Sequence, residues 1–179
     1  MNTTEVEAVF VDRDGTVGPG EIDSPFDFLL FNFTLEAIKL IKSNRIPVYM
    51  FTNQACIARG KSHGFDFYKE SKEMLMDGIF LCPHDDEDNC DCRKPKTGLL
   101  LQAREKLNID LSKSIVIGDR WSDMVSGGIC KCKLILVLTG RGEKTLQEER
   151  KLWFDYSPCF IAENLLDAAK WITKHHGLK

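Results

Sequence analysis

Two aspartates one residue apart, Asp12 and Asp14, close an apolar run and are followed by Gly15 and Thr16. Carboxylates at that spacing on a strand-to-loop junction can divide the work of phosphoryl transfer. One faces the phosphorus as nucleophile, while the other reaches the leaving oxygen from the turn. Gly15 permits the sharp bend, and Thr16 can cap it. The same chemistry asks for cationic donors to the phosphoryl oxygens and for a hard divalent cation to offset carboxylate–phosphate repulsion. Lys94 follows the cysteine loop after a later apolar run, and Thr52 and Asp119 stand at or just past the ends of others. Asp123, four residues on, could tune the cation site or cap a helix.

A second constellation is more local. Cys82-Pro83-His84, five residues, then Cys90-Asp91-Cys92 puts three thiolates and one imidazole within eleven residues. That is a complete tetrahedral set for Zn²⁺ with no position open to water, so its expected role is structural. The intervening Asp85 to Asn89 is too polar for a core and lacks EF-hand spacing, and reads as a solvated turn. Arg93 and Lys94 follow at once, so a zinc staple would fix both. Cys56, Cys130, Cys132 and Cys159 lie in or beside apolar stretches and read as small buried hydrophobes. Seven cysteines, an odd count, without an export signal argue against a disulfide framework.

These side chains need a scaffold that gathers distant segments. Short runs rich in Val, Ile and Phe predict strands over Val6 to Asp12, Ile46 to Thr52, Ile79 to Cys82, Ser114 to Gly118 and Leu134 to Leu138. Between them, Leu35, Ile38, Leu40 and Ile41 recur at helical spacing, as do Leu99, Leu100, Ala103 and Leu107. Phe65 to Met76 is weakly helical, another helix starts near Ser122, and Leu165 to Lys174 closes the chain as an amphipathic helix. Strands alternating with helices predict an α/β fold, a single doubly wound parallel sheet covered on both faces. Chemistry in such sheets collects at the carboxyl ends of the strands, where Asp12, Thr52 and Asp119 stand. No repeat or linker interrupts residues 1–179, which read as one domain.

Bulk properties narrow the partners. With 24 Lys and Arg against 27 Asp and Glu, a formal charge of -3 gives no global attraction to nucleic acid or anionic membrane. The segment Met1 to Glu7 is polar and acidic, unlike a signal peptide, and the apolar runs are too short to span a bilayer. A cytoplasmic location is expected. Trp121, Trp153 and Trp171 could serve a core or an interface, and no oligomeric state is legible.

Taken in order, Asp12-x-Asp14-Gly15-Thr16, Thr52, Lys94 before Pro95, and Gly118-Asp119-x-x-x-Asp123 resemble the four motifs of the haloacid dehalogenase (HAD) superfamily of phosphatases. The resemblance implies an aspartyl-phosphate on Asp12 and proton transfer by Asp14. It also implies phosphoryl contacts from Thr52 and Lys94, and Mg²⁺ held by Asp12, Asp119 and the backbone carbonyl of Asp14. The cysteine loop with Cys92-Arg93-Lys94-Pro95, and Thr52-Asn53-Gln54 before it, resembles the zinc-bearing branch containing D-glycero-D-manno-heptose 1,7-bisphosphate and histidinol-phosphate phosphatases. This covers about Phe10 to Gly140. Arg13, Asn53, Gln54, Arg93 and Arg120 are then the expected substrate contacts.

Within that branch the signals divide. Thr52-Asn53-Gln54-x-x-Ile57-Ala58-Arg59-Gly60 and Thr139-Gly140 are similar to the heptose enzymes, whereas the five-residue loop between His84 and Cys90 is similar to the histidinol enzymes. Val17 to Asp23 matches the substrate loop of the heptose phosphatases poorly. A cationic histidinol substrate would want a carboxylate such as Glu21 or Asp23. About forty residues separate Thr16 from Thr52, and about forty separate Thr52 from Lys94, too few for a cap domain. The expectation is an open cleft walled by the Gly18 to Phe28 loop and the zinc loop, taking a small phosphorylated metabolite, foremost a sugar phosphate. A DNA 3′-end phosphatase would want a basic strip that Arg141 to Lys151 does not supply. A zinc-stabilised binding module without turnover would not need to keep both Asp12 and Asp14.

Overall fold

Six apolar runs, each too short for a helix, pair side by side in the computed structural model, which describes residues 6–20 and 24–176. They form β1 (Ala8–Val11), β2 (Val48–Asn53), β3 (Gly78–Cys82), β4 (Ser114–Gly118), β5 (Lys133–Val137) and β6 (Phe160–Ala162). The sheet order is β3-β2-β1-β4-β5-β6, and every pairing is parallel. Seven helices connect and flank them: α1 (Thr34–Ser43), α2 (Ala55–Ala58), α3 (Phe67–Glu73), α4 (Gly98–Leu107), α5 (Trp121–Ile129), α6 (Gly142–Gln147) and α7 (Leu165–His176).

The central strands are apolar on both sides because each side meets a helix layer. Val9, Val11, Ile115, Ile117, Ile135 and Val137 face the α1 and α7 side, where Ile38, Ile41, Leu165, Ala168 and Ile172 complete the core. Ala8, Phe10, Val116, Leu134 and Leu136 face the other, against Leu99, Leu100 and Ala103 of α4, Met124 of α5 and Trp153. Each fully buried aliphatic side chain contributes about 1.5–3 kcal/mol, so the paired layers hold the strand ends rigidly.

The expected strands and helices all form, with edges moved by one to three residues. In α1 the buried stripe is Thr34, Ala37, Ile38 and Ile41, while Leu35 is 38% exposed. Thr34 takes the inward position because its hydroxyl donates to the Val17 carbonyl at 2.7 Å. Helices α2 and α6 and strand β6 had no forecast, being only four, six and three residues long. Of the cysteines outside the loop, Cys132 is buried, but Cys56 and Cys130 are only partly so and Cys159 is exposed. The reading of all four as buried hydrophobes is corrected accordingly. Trp153 is a core residue, whereas Trp171 stacks on Phe160 and His175.

The chain runs outward from β1 through β2 to β3, then returns to β4 on the opposite side of β1. The crevice between the carboxyl ends of β1 and β4 is therefore the switch point where open α/β sheets bind ligands. Among the described residues no folded insertion stands over it, and no helix is long and apolar enough to cross a membrane.

Candidate active site and metal centres

Asp12 leaves β1 and Asp119 leaves β4, so the parallel register between Val11 and Ile117 brings the two together. The turn after β1 closes with Gly15 N–H donating to Gly18 O at 2.8 Å. Gly15 has φ +86°, and a Cβ there would fall 2.1 Å from Asp119 Oδ2. Gly140, at φ +57°, closes the other side, where a Cβ would lie 2.3 Å from the same oxygen. Both positions need glycine for conformation and for space.

Asp12, Asp119 and Asp123 are buried, and each offers a carboxylate oxygen within 4.8 Å of the others. Lys94 binds the cluster from below. Its ammonium stands 2.8 Å from Asp12 Oδ1, 2.6 Å from Asp123 Oδ1 and 2.9 Å from the Phe51 carbonyl. The Asp123 approach is an ion pair whose angles fall short of a hydrogen bond, since that oxygen lacks an aligned donor. Burial works against the charged lysine, but Asp12 and Asp123 outweigh it, and the Lys94 pKa is raised. Asp119 is pushed up to about 8, first by burial and then by Asp12 and Asp123. Its Oδ2 accepts the Arg141 N–H at 2.7 Å, while Oδ1 has no partner. Three hard carboxylate donors, two of them with an oxygen that no hydrogen bond satisfies, around a pocket that a Cβ would fill are what a divalent cation needs, so the residues fit the Mg²⁺ that the motifs imply.

Asp14 sits above this cluster. Its Oδ1 accepts from Arg13 Nη1 at 2.7 Å and its Oδ2 from Gln54 Nε2 at 2.6 Å. Burial raises its pKa, with Arg13 opposing and Asp12 adding to the rise. A raised carboxyl next to a nucleophile suits proton donation. Thr52 is fully buried, and its hydroxyl accepts from Gln54 Nε2 at 2.8 Å, which leaves its own proton for another acceptor.

The expected substrate contacts divide. Arg93 and Arg120 line a cleft of about 540 Å³ together with Arg59, Lys61, Lys94 and Trp121. Arg13, Asn53 and Gln54 line it as well, but their polar groups are used internally. Asn53 exchanges hydrogen bonds with the Lys94 backbone at 3.0 and 3.2 Å, and Gln54 spans Thr52 and Asp14. Arg13 is 2% exposed, forked onto Glu70 and Asp14. Polar groups of all three are thus already engaged inside the protein, with Arg13 and Gln54 buried and Asn53 half-buried at the cleft wall. Pro25 lines the cleft as the 18–28 wall predicts, while Glu21 and Asp23 lie outside the described residues.

The cysteine loop leaves β3 at Cys82. Sulfur–sulfur distances among Cys82, Cys90 and Cys92 are 3.2 to 3.6 Å, and His84 Nδ1 lies 3.6 Å from Cys82 and 3.2 Å from Cys92. A tetrahedron with metal–sulfur bonds of about 2.3 Å has edges of roughly 3.8 Å, so the four donors fit one ion closely. Crowding splits the thiols. Cys82 is pushed up to about 12, first by burial, whereas Cys90, against burial, is drawn to about 7 by the Arg93 N–H and its neighbours' thiols. The acidic turn does more than meet solvent. Asp85 pairs both oxygens with Arg59 at 2.6 Å, and Asp86 pairs with Arg93 at 2.5 Å.

Sequence reasoning missed Asp86 and Glu70, whose partners lie elsewhere in the chain. It left Asp123 between tuning the cation site and capping a helix; the side chain accepts the Arg120 N–H at 3.0 Å at the start of α5, as a cap does, and its other oxygen faces Lys94.

The comparisons with known proteins agree with this geometry. The HAD-hydrolase-like family model matches residues 91–168. The D-glycero-β-D-manno-heptose-1,7-bisphosphate 7-phosphatase of Pasteurella multocida is 35% identical, over 97% of this chain and 98% of its own. That of Escherichia coli K12 is 32% identical, over 76% of this chain and 81% of its own. The crystal structure of the B. bronchiseptica D,D-heptose 1,7-bisphosphate phosphatase, complexed with magnesium and phosphate, superposes with a TM-score of 0.83 at 27% identity, over 94% of this chain and 98% of that one. The chain is a phosphatase, a HAD-like hydrolase belonging to the D-glycero-β-D-manno-heptose-1,7-bisphosphate 7-phosphatase family.

Proposed function

We propose that the enzyme removes one phosphate from D-glycero-β-D-manno-heptose 1,7-bisphosphate through an aspartyl-phosphate on Asp12. The observation that carries this reading is the state of Asp12 at the switch point: its Oδ1 is held by Lys94 and by the Arg13 N–H at 2.8 Å each, leaving Oδ2 to attack. The relatives' shared substrate and the cationic lining of the cleft support the sugar bisphosphate. Lys61 and Arg120 add cations beyond Lys94, while Arg59 and Arg93 would exchange Asp85 and Asp86 for a second phosphate remote from the scissile one, a surplus of positive charge in the lining. A substrate bearing an ammonium would meet that surplus unfavourably, which weighs against histidinol phosphate.

In the first step Asp12 Oδ2 bonds to phosphorus while the bond to the sugar oxygen breaks, and Asp14 passes its proton to that oxygen. In the second step Asp14 takes a proton from water as the water oxygen bonds to phosphorus and the Asp12–phosphorus linkage breaks. Thr52 and Lys94 hold phosphoryl oxygens. Mg²⁺ on Asp12, Asp119 and the Asp14 carbonyl, with Asp123 beside it, would neutralise charge building on those oxygens.

Zn²⁺ on Cys82, His84, Cys90 and Cys92 would serve structurally, with residues 1–179 forming one catalytic unit. A reducing cytoplasm is the setting in which such thiolates persist. A panel of phosphorylated metabolites with Mg²⁺, including the heptose bisphosphate and histidinol phosphate, tests the substrate. Preference for histidinol phosphate, or for monophosphates over the bisphosphate, would overturn the assignment.

A further inference from the structure

Helix α3 contributes nothing to the four motifs, yet one of its side chains is tied into the centre. Glu70 takes Arg13 Nε at 2.8 Å on one oxygen and Arg13 Nη2 at 2.7 Å on the other. The remaining face of the fork, Nη1, donates to Asp14 Oδ1 at 2.7 Å. The guanidinium carbon stands over Phe28, 3.5 Å from the ring centroid, with Phe67 at 5.4 Å and Phe65 at 6.0 Å. Arg13 is 2% exposed, and the Glu70 side chain is 12% exposed.

A planar fork held by Glu70 along one edge and by Phe28 on one face has little rotational freedom left. Its Nη1 therefore fixes the Asp14 carboxyl, whose other oxygen is fixed by Gln54. Each carboxyl oxygen keeps a second lone pair, so the group can carry and release a proton without leaving this frame. The arrangement is costly to maintain. A buried guanidinium between two half-buried carboxylates needs close geometry to offset its desolvation, and a merely structural helix anchor could be apolar.

We propose that Glu70, acting through the Phe28-stacked Arg13, is a positioning residue that aims the proton-transferring Asp14 at the leaving oxygen. This rests on the assignment of Asp14 as acid. It makes α3, outside every motif, part of the machinery for poor leaving groups.

The test compares two substrates by kcat/KM, which reports the steps up to release of the leaving group. A phosphorylated sugar needs its alkoxide protonated, whereas p-nitrophenyl phosphate departs without a proton. Glu70→Gln keeps size and one hydrogen bond but loses the ionic fork. The expected result is a fall of at least about 10-fold with the sugar phosphate and less than about 3-fold with p-nitrophenyl phosphate, part of the 10²–10⁴ that general acids supply. Glu70→Asp should restore part of the sugar-phosphate activity. Should Glu70→Gln not fold, Phe28→Leu leaves every charge in place and should show the same bias more weakly. Equal losses on both substrates, or no loss on either, would overturn the proposal. Asp14→Asn measured in parallel separates the layers. Bias there without bias in the Glu70 and Phe28 variants removes only the positioning role, and absence of bias in Asp14→Asn removes the acid assignment with it.

Discussion

The molecule holds two clusters of metal-type ligands built on opposite principles. The aspartate cluster gathers Asp12, Asp119 and Asp123 from two strand ends and a helix start, all buried, over a sheet packed on both faces. The thiolate cluster gathers four donors from eleven consecutive residues in a loop whose acidic stretch is largely exposed. One cluster is placed by the core, the other must place itself. The first should therefore keep its shape without a metal ion, because Lys94 already balances two of its carboxylates. The second is rooted in the core at Cys82, with Cys90 and Cys92 packed partly buried against it, but the exposed stretch between has only the chelate to close it, so the loop's stability should depend on the ion.

The largest expected effect tests the first half of that contrast. Asp12→Asn should lower turnover by at least about 10⁴-fold while the melting temperature changes little, since the amide keeps the shape and the strand-end hydrogen bonds. Turnover surviving the change would remove Asp12 as nucleophile. Lys94→Met comes next and should strike both chemistry and fold. Loss of a cationic donor to the phosphoryl group costs about 10²–10³ in kcat. Leaving Asp12 and Asp123 facing each other without their buried counter-ion should cost about 3–5 kcal/mol. A Lys94→Met protein as stable as the parent would mean that the aspartate cluster does not rely on the lysine.

The two clusters also differ in how far the sequence reveals them. Cys82, His84, Cys90 and Cys92 are readable from spacing alone, because a chelate closed within eleven residues leaves the chain few other geometries. Asp12 and Asp119 are 107 positions apart by number, and only the strand order unites them. Their pairing was legible because both follow apolar runs that a parallel sheet must align at one edge. What stayed hidden was the partner of each charge. Nothing near Glu70 in sequence points to Arg13, and nothing near Asn53 and Gln54 points to Lys94 and Asp14, because each of these pairings is a matter of tertiary distance. The strand β6 and helix α6 were hidden for another reason: runs of three and six residues carry no periodicity to detect.

Ion removal addresses the second cluster. Chelation, followed by replenishment of Mg²⁺, should lower the melting temperature as well as activity. Loss of about 3 kcal/mol corresponds to a fall of roughly 6–12 °C in a chain of this size. Elemental analysis should find one zinc per chain in the parent and none in Cys90→Ser. Activity lost at an unchanged melting temperature would turn the thiolate site into a catalytic one and erase the contrast.

The smallest effect concerns what the thiolate loop presents to the cleft. Arg93 follows Cys92 directly, so the loop that holds the ion also aims the guanidinium, and His84 O accepts its Nη1 at 3.2 Å. Asp86, three-quarters exposed, occupies Nε of the same guanidinium at 2.5 Å. A remote substrate phosphate reaching Arg93 must share it with this carboxylate or displace it. Exposed ion pairs are weak enough that the exchange should be shallow. Asp86→Asn should then lower KM for the bisphosphate by about 2- to 5-fold, leave kcat unchanged, and leave KM for p-nitrophenyl phosphate unchanged because that substrate has no second phosphate. A rise in KM would assign Asp86 the opposite part, that of holding Arg93 in its binding position. In that case the acidic turn would belong with the staple that fixes the cation, and the thiolate loop would be a self-placed unit from Cys82 to Lys94.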